Sequence, residues 1–267
     1  MTYQPVLPSG GNLGWTFLKQ TREAQQQAFD NSTVIARDTA YFREKIGDVR
    51  SAEDLVSDRR LLTVALGAFG LDDDINNKYY IRKVLEDGTI DPASFANRLT
   101  DKRYFAMAEA FGFELEPPNT VISTFPDDIL DRYKNRQFEV AVGAQDEDMR
   151  LALGIEREIA DIAERGLTED AAWFTVMGTT PVRRVFELAL GLPSEIATVD
   201  IDRQLEVFKD KAVSTFGTSN PAEFTDPDIQ EKLIRNFLFR SELAASTAST
   251  VQGSVALSLL QSQAPLF

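Results

Sequence analysis

From Trp15 onward apolar residues recur at intervals of three and four with polar residues between them, the spacing of helices that bury one face. Trp15 and Leu18 begin the pattern, and Val34, Ile35, Tyr41, Phe42 and Ile46 continue it. The Asp30-Asn31-Ser32 cluster interrupts it and predicts two helices rather than one. Ser51-Ala52-Glu53-Asp54 has the form of a capping box, with hydroxyl and carboxylate each taking a backbone N–H that the helix leaves unpaired. Asp58 then caps a helix over residues 59–69, which Gly70 closes in a left-handed conformation. Further helices are predicted over 77–86, ended by Asp87-Gly88; from Asp91-Pro92 through Leu99; and from Asp101 to Phe111, ended by Gly112.

Residues 114–125 carry Pro117, Pro118 and Asn119 and read as a linker. Beyond it two longer amphipathic helices are expected over 126–142 and 146–165. Thr168, Thr180-Pro181, Asp200, Asn220-Pro221 and Asp226-Pro227 mark later helix starts. No alternating strand pattern stands out, so the expected fold is all-α. The expected organisation is an extended arm (1–14), a first helical unit (15–113), the linker (114–125), a second unit (126–242) and a tail (243–267).

The two units share wording. Arg59-Arg60-Leu61-Leu62-Thr63-Val64-Ala65-Leu66-Gly67 parallels Arg183-Arg184-Val185-Phe186-Glu187-Leu188-Ala189-Leu190-Gly191, and Asp91-Pro92-Ala93-Ser94-Phe95 parallels Asn220-Pro221-Ala222-Glu223-Phe224. The expectation is two related helical units arising from an internal duplication. Similar helix caps would produce part of the likeness without common descent.

Composition narrows the chemistry. The 267 residues carry a formal charge of −14, a field that repels phosphate backbones and anionic lipid, so neither nucleic acid nor a membrane surface is an expected partner. No cysteine and no histidine occur, which removes thiol chemistry, the commonest metal ligand and the commonest general base together. No run of about 18 apolar residues predicts a membrane span. The first residues lack the basic start and apolar stretch of a secretory signal. The residues alone make a cytoplasmic location the expectation.

Five features are candidate sites. Asp72-Asp73-Asp74-Ile75-Asn76 fits an acidic Mg²⁺-binding pattern, but the second acidic motif such chemistry needs is missing. Acids also favour a helix start by roughly 0.3–1 kcal/mol each. Asp146-Glu147-Asp148 has the same dual reading. The glycines of Ser9-Gly10-Gly11-Asn12-Leu13-Gly14 lack the Lys-Ser/Thr of a phosphate loop, and they predict a flexible lead-in to the first helix. The pairs Arg59-Arg60 and Arg183-Arg184 stand one or two residues into their expected helices, where the dipole disfavours cations, so ion pairs with Asp or Glu of the fold should hold them. Catalytic, cofactor-binding and metal-binding residues are expected to be none. The tail from Leu243 to Phe267 has no charged side chain. Val251, Val255, Leu259 and Leu260 can share one helical face and, with Phe267, form the candidate partner-binding residues.

Several spaced blocks resemble a known family. They are Leu55-Val56-Ser57-Asp58-Arg59-Arg60-Leu61-Leu62, Ala68-Phe69-Gly70-Leu71, Ile81-Arg82-Lys83-Val84-Leu85-Glu86, Ser94-Phe95-Ala96-Asn97-Arg98-Leu99, Asp101-Lys102-Arg103-Tyr104, Arg136-Gln137-Phe138-Glu139 and Asp200-Ile201-Asp202-Arg203-Gln204. Together they resemble a bacterial family catalogued as domain of unknown function 1217, whose members occur mainly in alphaproteobacteria, many encoded among flagellar genes. The resemblance implies a link to flagellar structure, assembly or motility and carries no catalytic residue. The expected function is therefore a non-enzymatic interaction or assembly protein whose partners are other proteins, flagellar components or itself, with no cofactor. The rival expectations are a carboxylate-based or Mg²⁺-dependent all-α enzyme and a chaperone-like regulatory module.

Overall fold

A computed structural model describes residues 3–262, with side chains described through Ser246. It is all-α: helices take up 77% of the chain, thirteen of them α-helices, and no strand occurs among the described residues. The chain divides into two compact units, the first comprising Met1–Val6 and Thr21–Ala141, the second Leu7–Gln20 and Val142–Phe267. Two of the three divisions fall inside helices, α1 (Gly11–Asp30) and α8 (Phe125–Gly143), and the third precedes α1. No described helix is long and apolar enough to cross a membrane.

In the first unit the chain runs through α2 (Thr33–Lys45), α3 (Ala52–Ser57), α4 (Arg59–Phe69), α5 (Lys78–Asp87), α6 (Phe95–Arg98) and α7 (Lys102–Phe111). Helix α4 is central: α2, α3 and α7 pack on it, and α5 bridges α3 and α7. Its buried residues run nearly all round from Leu61 to Phe69, as expected of a helix surrounded by others. The predicted caps do their work. Ser51 and Asp54 complete the capping box of α3. Asp58 accepts from the Arg60 and Leu61 amides to start α4, and Asp101 accepts from Arg103 to start α7. Gly70 and Gly112 close α4 and α7 at φ of 69° and 57°, a region that side-chain-bearing residues enter at a cost of roughly 1–2 kcal/mol.

Residues 114–125 are tied to this unit. The Glu114 carboxylate accepts from the Thr89 and Ile90 amides, the Thr120 hydroxyl donates to the Val49 carbonyl, and Asn119 donates to the Ala110 carbonyl at the end of α7. The segment from Asp91 is mostly turn, with only the single helical turn of α6. Asp91 accepts from the Ala93 amide, and Asn97 donates to the Thr89 and Asp91 carbonyls, so side chains satisfy backbone groups that a longer helix would have used.

The second unit contains α9 (Glu147–Glu164), α10 (Glu169–Gly178), α11 (Thr180–Leu190), α12 (Ile201–Phe216) and α13 (Pro227–Ser262), together with a 3-10 turn at Pro221–Thr225. Helix α11 is its centre, flanked by α9, α10, α12 and α13. Trp173, Phe186, Phe208, Phe216 and Phe224 form a chain of tilted and edge-on ring contacts with centroids 5.0–5.8 Å apart. The Trp173 indole N–H is satisfied by the Ser219 carbonyl at 2.6 Å.

Helix α1 starts at Gly11, four residues before the Trp15 expected to open it. The glycine run is thus the helix start itself, which corrects the expectation of a flexible lead-in: Gly14 lies inside the helix, where an added Cβ would meet the Ser9 carbonyl and Met149.

Candidate functional site

The acidic motifs are used structurally. Asp72 accepts from Gln137, and Asp74 accepts from the Tyr104 hydroxyl and from Asn77, at 2.6–2.8 Å. Burial, reinforced by the hydrogen bond to Asp74, pushes the Tyr104 hydroxyl well above its ordinary value and keeps it a donor. Among the described residues no three acids converge to hold a metal ion. Asp146 caps α9 by accepting from the Met149 amide, Glu147 pairs with Arg150, and Asp148 accepts from Arg184 and from the Ser241 hydroxyl.

Three of the four arginines have the expected carboxylate partners, whereas Arg59 is held by an asparagine, and the two pairs are not held in equivalent ways. Arg60 stacks over the Tyr41 ring with its guanidinium carbon 3.9 Å from the centroid, and it reaches Asp38 and the Arg37 carbonyl. Arg59 donates to Asn76. Arg183 pairs with Glu187 at 2.6 Å and donates to Gln204 at 2.7 Å, while Arg184 pairs with Asp148 at 3.0 Å. Arg59 and Arg60 open α4. Arg183 and Arg184 stand a full turn inside α11, because Thr180 and Pro181 take its first positions. The expectation that both pairs sit one or two residues into their helices therefore fails for the second.

Within the second unit α1 is bonded to α13. The Asn12 amide donates to the Arg235 carbonyl, the Trp15 indole donates to Glu231 at 3.2 Å, Lys19 pairs with Glu231 at 2.7 Å, and Gly11 lies against the Glu242 carboxylate. Burial raises the Glu231 carboxyl, but hydrogen bonds from Lys19, Arg235 and Trp15 outweigh it and hold the pKa below the usual glutamate range. On the two helices so joined, Leu13 is 80% exposed, Phe239 59% and Leu243 56%. The sequence reading missed Leu13 and Phe239. A signal existed for Phe239: Leu233, Ile234, Phe237, Leu238 and Ser241 form the buried stripe of α13, and residue 239 falls beside that stripe, not within it.

The candidate residues Val251, Val255, Leu259 and Leu260 fall on the helical backbone of α13, but their side chains, and all of Phe267, lie outside the described residues.

The comparisons agree with this fold. The X-ray crystal structure of protein AGR_C_984 from Agrobacterium tumefaciens is similar, with a TM-score of 0.72 and 26% identity over 90% of this chain and 99% of that one. No curated protein matches this chain. The family model described as protein of unknown function (DUF1217) matches residues 68–229, more than half of the chain. The chain therefore belongs to the DUF1217 family.

Proposed function

We propose that this chain works by binding other proteins through the second unit, that it is not an enzyme, and that its binding serves the bacterial flagellum. The observation that carries the binding reading is the exposure of Phe239 and Leu243, one turn apart on α13, where the helix runs on into a segment with no charged residue. Single exposed apolar residues are ordinary; two a turn apart at the start of an uncharged helical extension suggest a surface to be covered. The non-enzymatic reading is supported by the use of Asp72, Asp74, Asp146 and Asp148 in caps and internal hydrogen bonds. The flagellar part rests on the family resemblance of the sequence blocks, and the location that goes with it is the cytoplasm or the flagellum.

The proposal includes the view that the two units descend from one duplicated helical unit. In support, α4 and α11 are each eleven residues long. Each is closed by a left-handed glycine, Gly70 or Gly191, followed by a leucine whose amide bonds back to the fifth residue before it.

Deleting the gene from a motile host is expected to reduce filament number or swimming speed. Normal filaments and normal swimming would overturn the flagellar reading. Full-length tagged protein is expected to recover flagellar proteins from such cells, and Phe239→Glu to recover them less well.

A further inference from the structure

Gly11, Gly14, Trp15 and Leu18 are the buried residues in the first half of α1, and their spacing puts them in one narrow stripe. Leu13, Thr16, Lys19 and Gln20, between and beyond them, are exposed. The stripe lies on α9 and α13, which pack against one another. On the α9 side the glycines let the backbone come close. A Cβ at Gly14 would meet the Met149 methyl at 3.0 Å, and one at Gly10 would meet the Asp146 carboxylate at 3.0 Å. On the α13 side Glu231 takes the Trp15 indole N–H at 3.2 Å and the Lys19 ammonium at 2.7 Å, and the Asn12 amide reaches the Arg235 carbonyl at 3.3 Å. Anchors at i, i+3, i+4 and i+7 are how a groove takes an amphipathic helix from another chain.

This half-helix also arrives as a ligand would. It belongs to the second unit, but its chain neighbours on both sides, Met1–Val6 and Thr21–Ala141, belong to the first. The Val6 amide and carbonyl are both bonded to the Gln25 side chain, at 2.6 and 3.2 Å, so residues 7–20 leave the first unit and return to it. No peptide bond joins them to Val142–Phe267. Trp15 and Leu18 supply most of the hold, because the Lys19–Glu231 pair is partly exposed and adds little.

We propose that the first half of α1 is a latch in a helix-binding groove of the second unit, between α9 and α13, and that the groove takes in its place an amphipathic helix of a partner protein. The partner helix carries small residues at the first two positions of the stripe, tryptophan and leucine at the last two, and a cation one residue beyond to meet Glu231. The inference goes beyond the reading above, since Phe239 and Leu243 take no part in it.

A labelled peptide of residues 7–20 stands in for the partner helix. In the wild-type full-length chain, hydrogen exchange is expected to show the amides of residues 14–20 opening well before those of α11. Excess peptide should speed them further by occupying the groove whenever the latch lifts. By fluorescence anisotropy the same peptide should bind the full-length double variant Trp15→Ala, Leu18→Ala in the micromolar range. Wild type should bind it at least roughly tenfold more weakly, because there the tethered copy competes. A peptide with Trp15→Ala or Lys19→Glu should lose about tenfold or more, the first for its anchor and the second for setting like charges together. In the double variant Trp173, buried in the second unit, is the one tryptophan left, and its emission reports whether that unit stays folded.

Protection of residues 14–20 equal to that of α11 overturns the proposal, since the segment then opens only with the whole unit. A double variant that stays folded and binds no peptide overturns it too. So does one whose second unit unfolds, which makes the segment core and not latch. If the latch opens and the peptide binds while Phe239→Glu recovers flagellar proteins as well as wild type does, the inference stands and the binding reading falls. If the latch never opens while Phe239→Glu alone loses those proteins, the binding reading stands and the inference falls.

Discussion

Helices α4 and α11 are each surrounded by other helices of their unit and end the same way, yet they begin differently and bury different side chains. Counting back from the left-handed Gly70 and Gly191, Arg59 falls opposite Thr180 and Ala65 opposite Phe186. The letter-by-letter match instead set Gly67 against Gly191. In the structure Gly67 is inside α4, where a Cβ would come within 2.8 Å of the Tyr133 ring, and Gly191 is the residue that stops α11. The comparison teaches that the end of a helix, fixed by backbone conformation, is a firmer register mark than a shared dipeptide. The arginine pairs look alike in sequence and hold different parts of the fold.

The largest test of that register is Phe186→Ala. Phe186 is fully buried and touches both Trp173 and Phe224, so its loss should cost about 3–5 kcal/mol in urea unfolding. If the two helices share this register the first unit has an alanine at this place, and its own ring contacts run through Phe69, Phe111 and Phe125 instead. A loss under about 1 kcal/mol would mean that the cluster does not support α11. Next come the paired substitutions Gly70→Ala and Gly191→Ala. With φ of 69° and 68° and an arginine tip beside each, both should lose about 1–2 kcal/mol, and by the same amount. Clearly unequal losses would break the equivalence of the two ends.

The starts should separate the helices. Asp58→Ala removes a side chain that accepts from two amides and should cost about 1 kcal/mol, whereas Thr179→Ala removes no cap bond and should change little. The smallest effect is its pH dependence. Burial raises the Asp58 carboxyl, but hydrogen bonds from Tyr41 and from the Leu61 and Arg60 amides outweigh it and leave the folded pKa depressed. The resulting stability is fully present above the unfolded aspartate value of about 3.9 and is lost as pH falls through the lower folded value. Wild type should therefore exceed Asp58→Asn at pH 6 and lose that advantage below about pH 4 in unfolding midpoints measured at both. An advantage that persists undiminished at pH 2 would contradict the capping role.

Most of the helices were legible because their ends are local chemistry. Ser51, Asp58, Asp101, Asp146, Thr168 and Asp200 all accept the backbone N–H groups their positions call for. What escaped depended on partners distant in sequence. The early start of α1 goes with Gly11 fitting against Glu242, and the turn at Asp91 with bonds from Ser94 and Asn97 back to 88–91. The exposure of Leu13 and Phe239 escaped for a related reason. Helical spacing identifies a residue as apolar and gives its angle, but the exposure of Leu13 depends on what packs around it.

The second unit draws Leu7–Gln20 from one end of the sequence and Val142–Phe267 from the other. During synthesis, Trp15 leaves the ribosome more than two hundred residues before Glu231, the carboxylate its indole bonds. The first turns of α1 must then wait without their partner while the intervening unit is made and folded. That long closure makes the second unit the slower to form and the stage at which a nascent-chain chaperone would have most to guard.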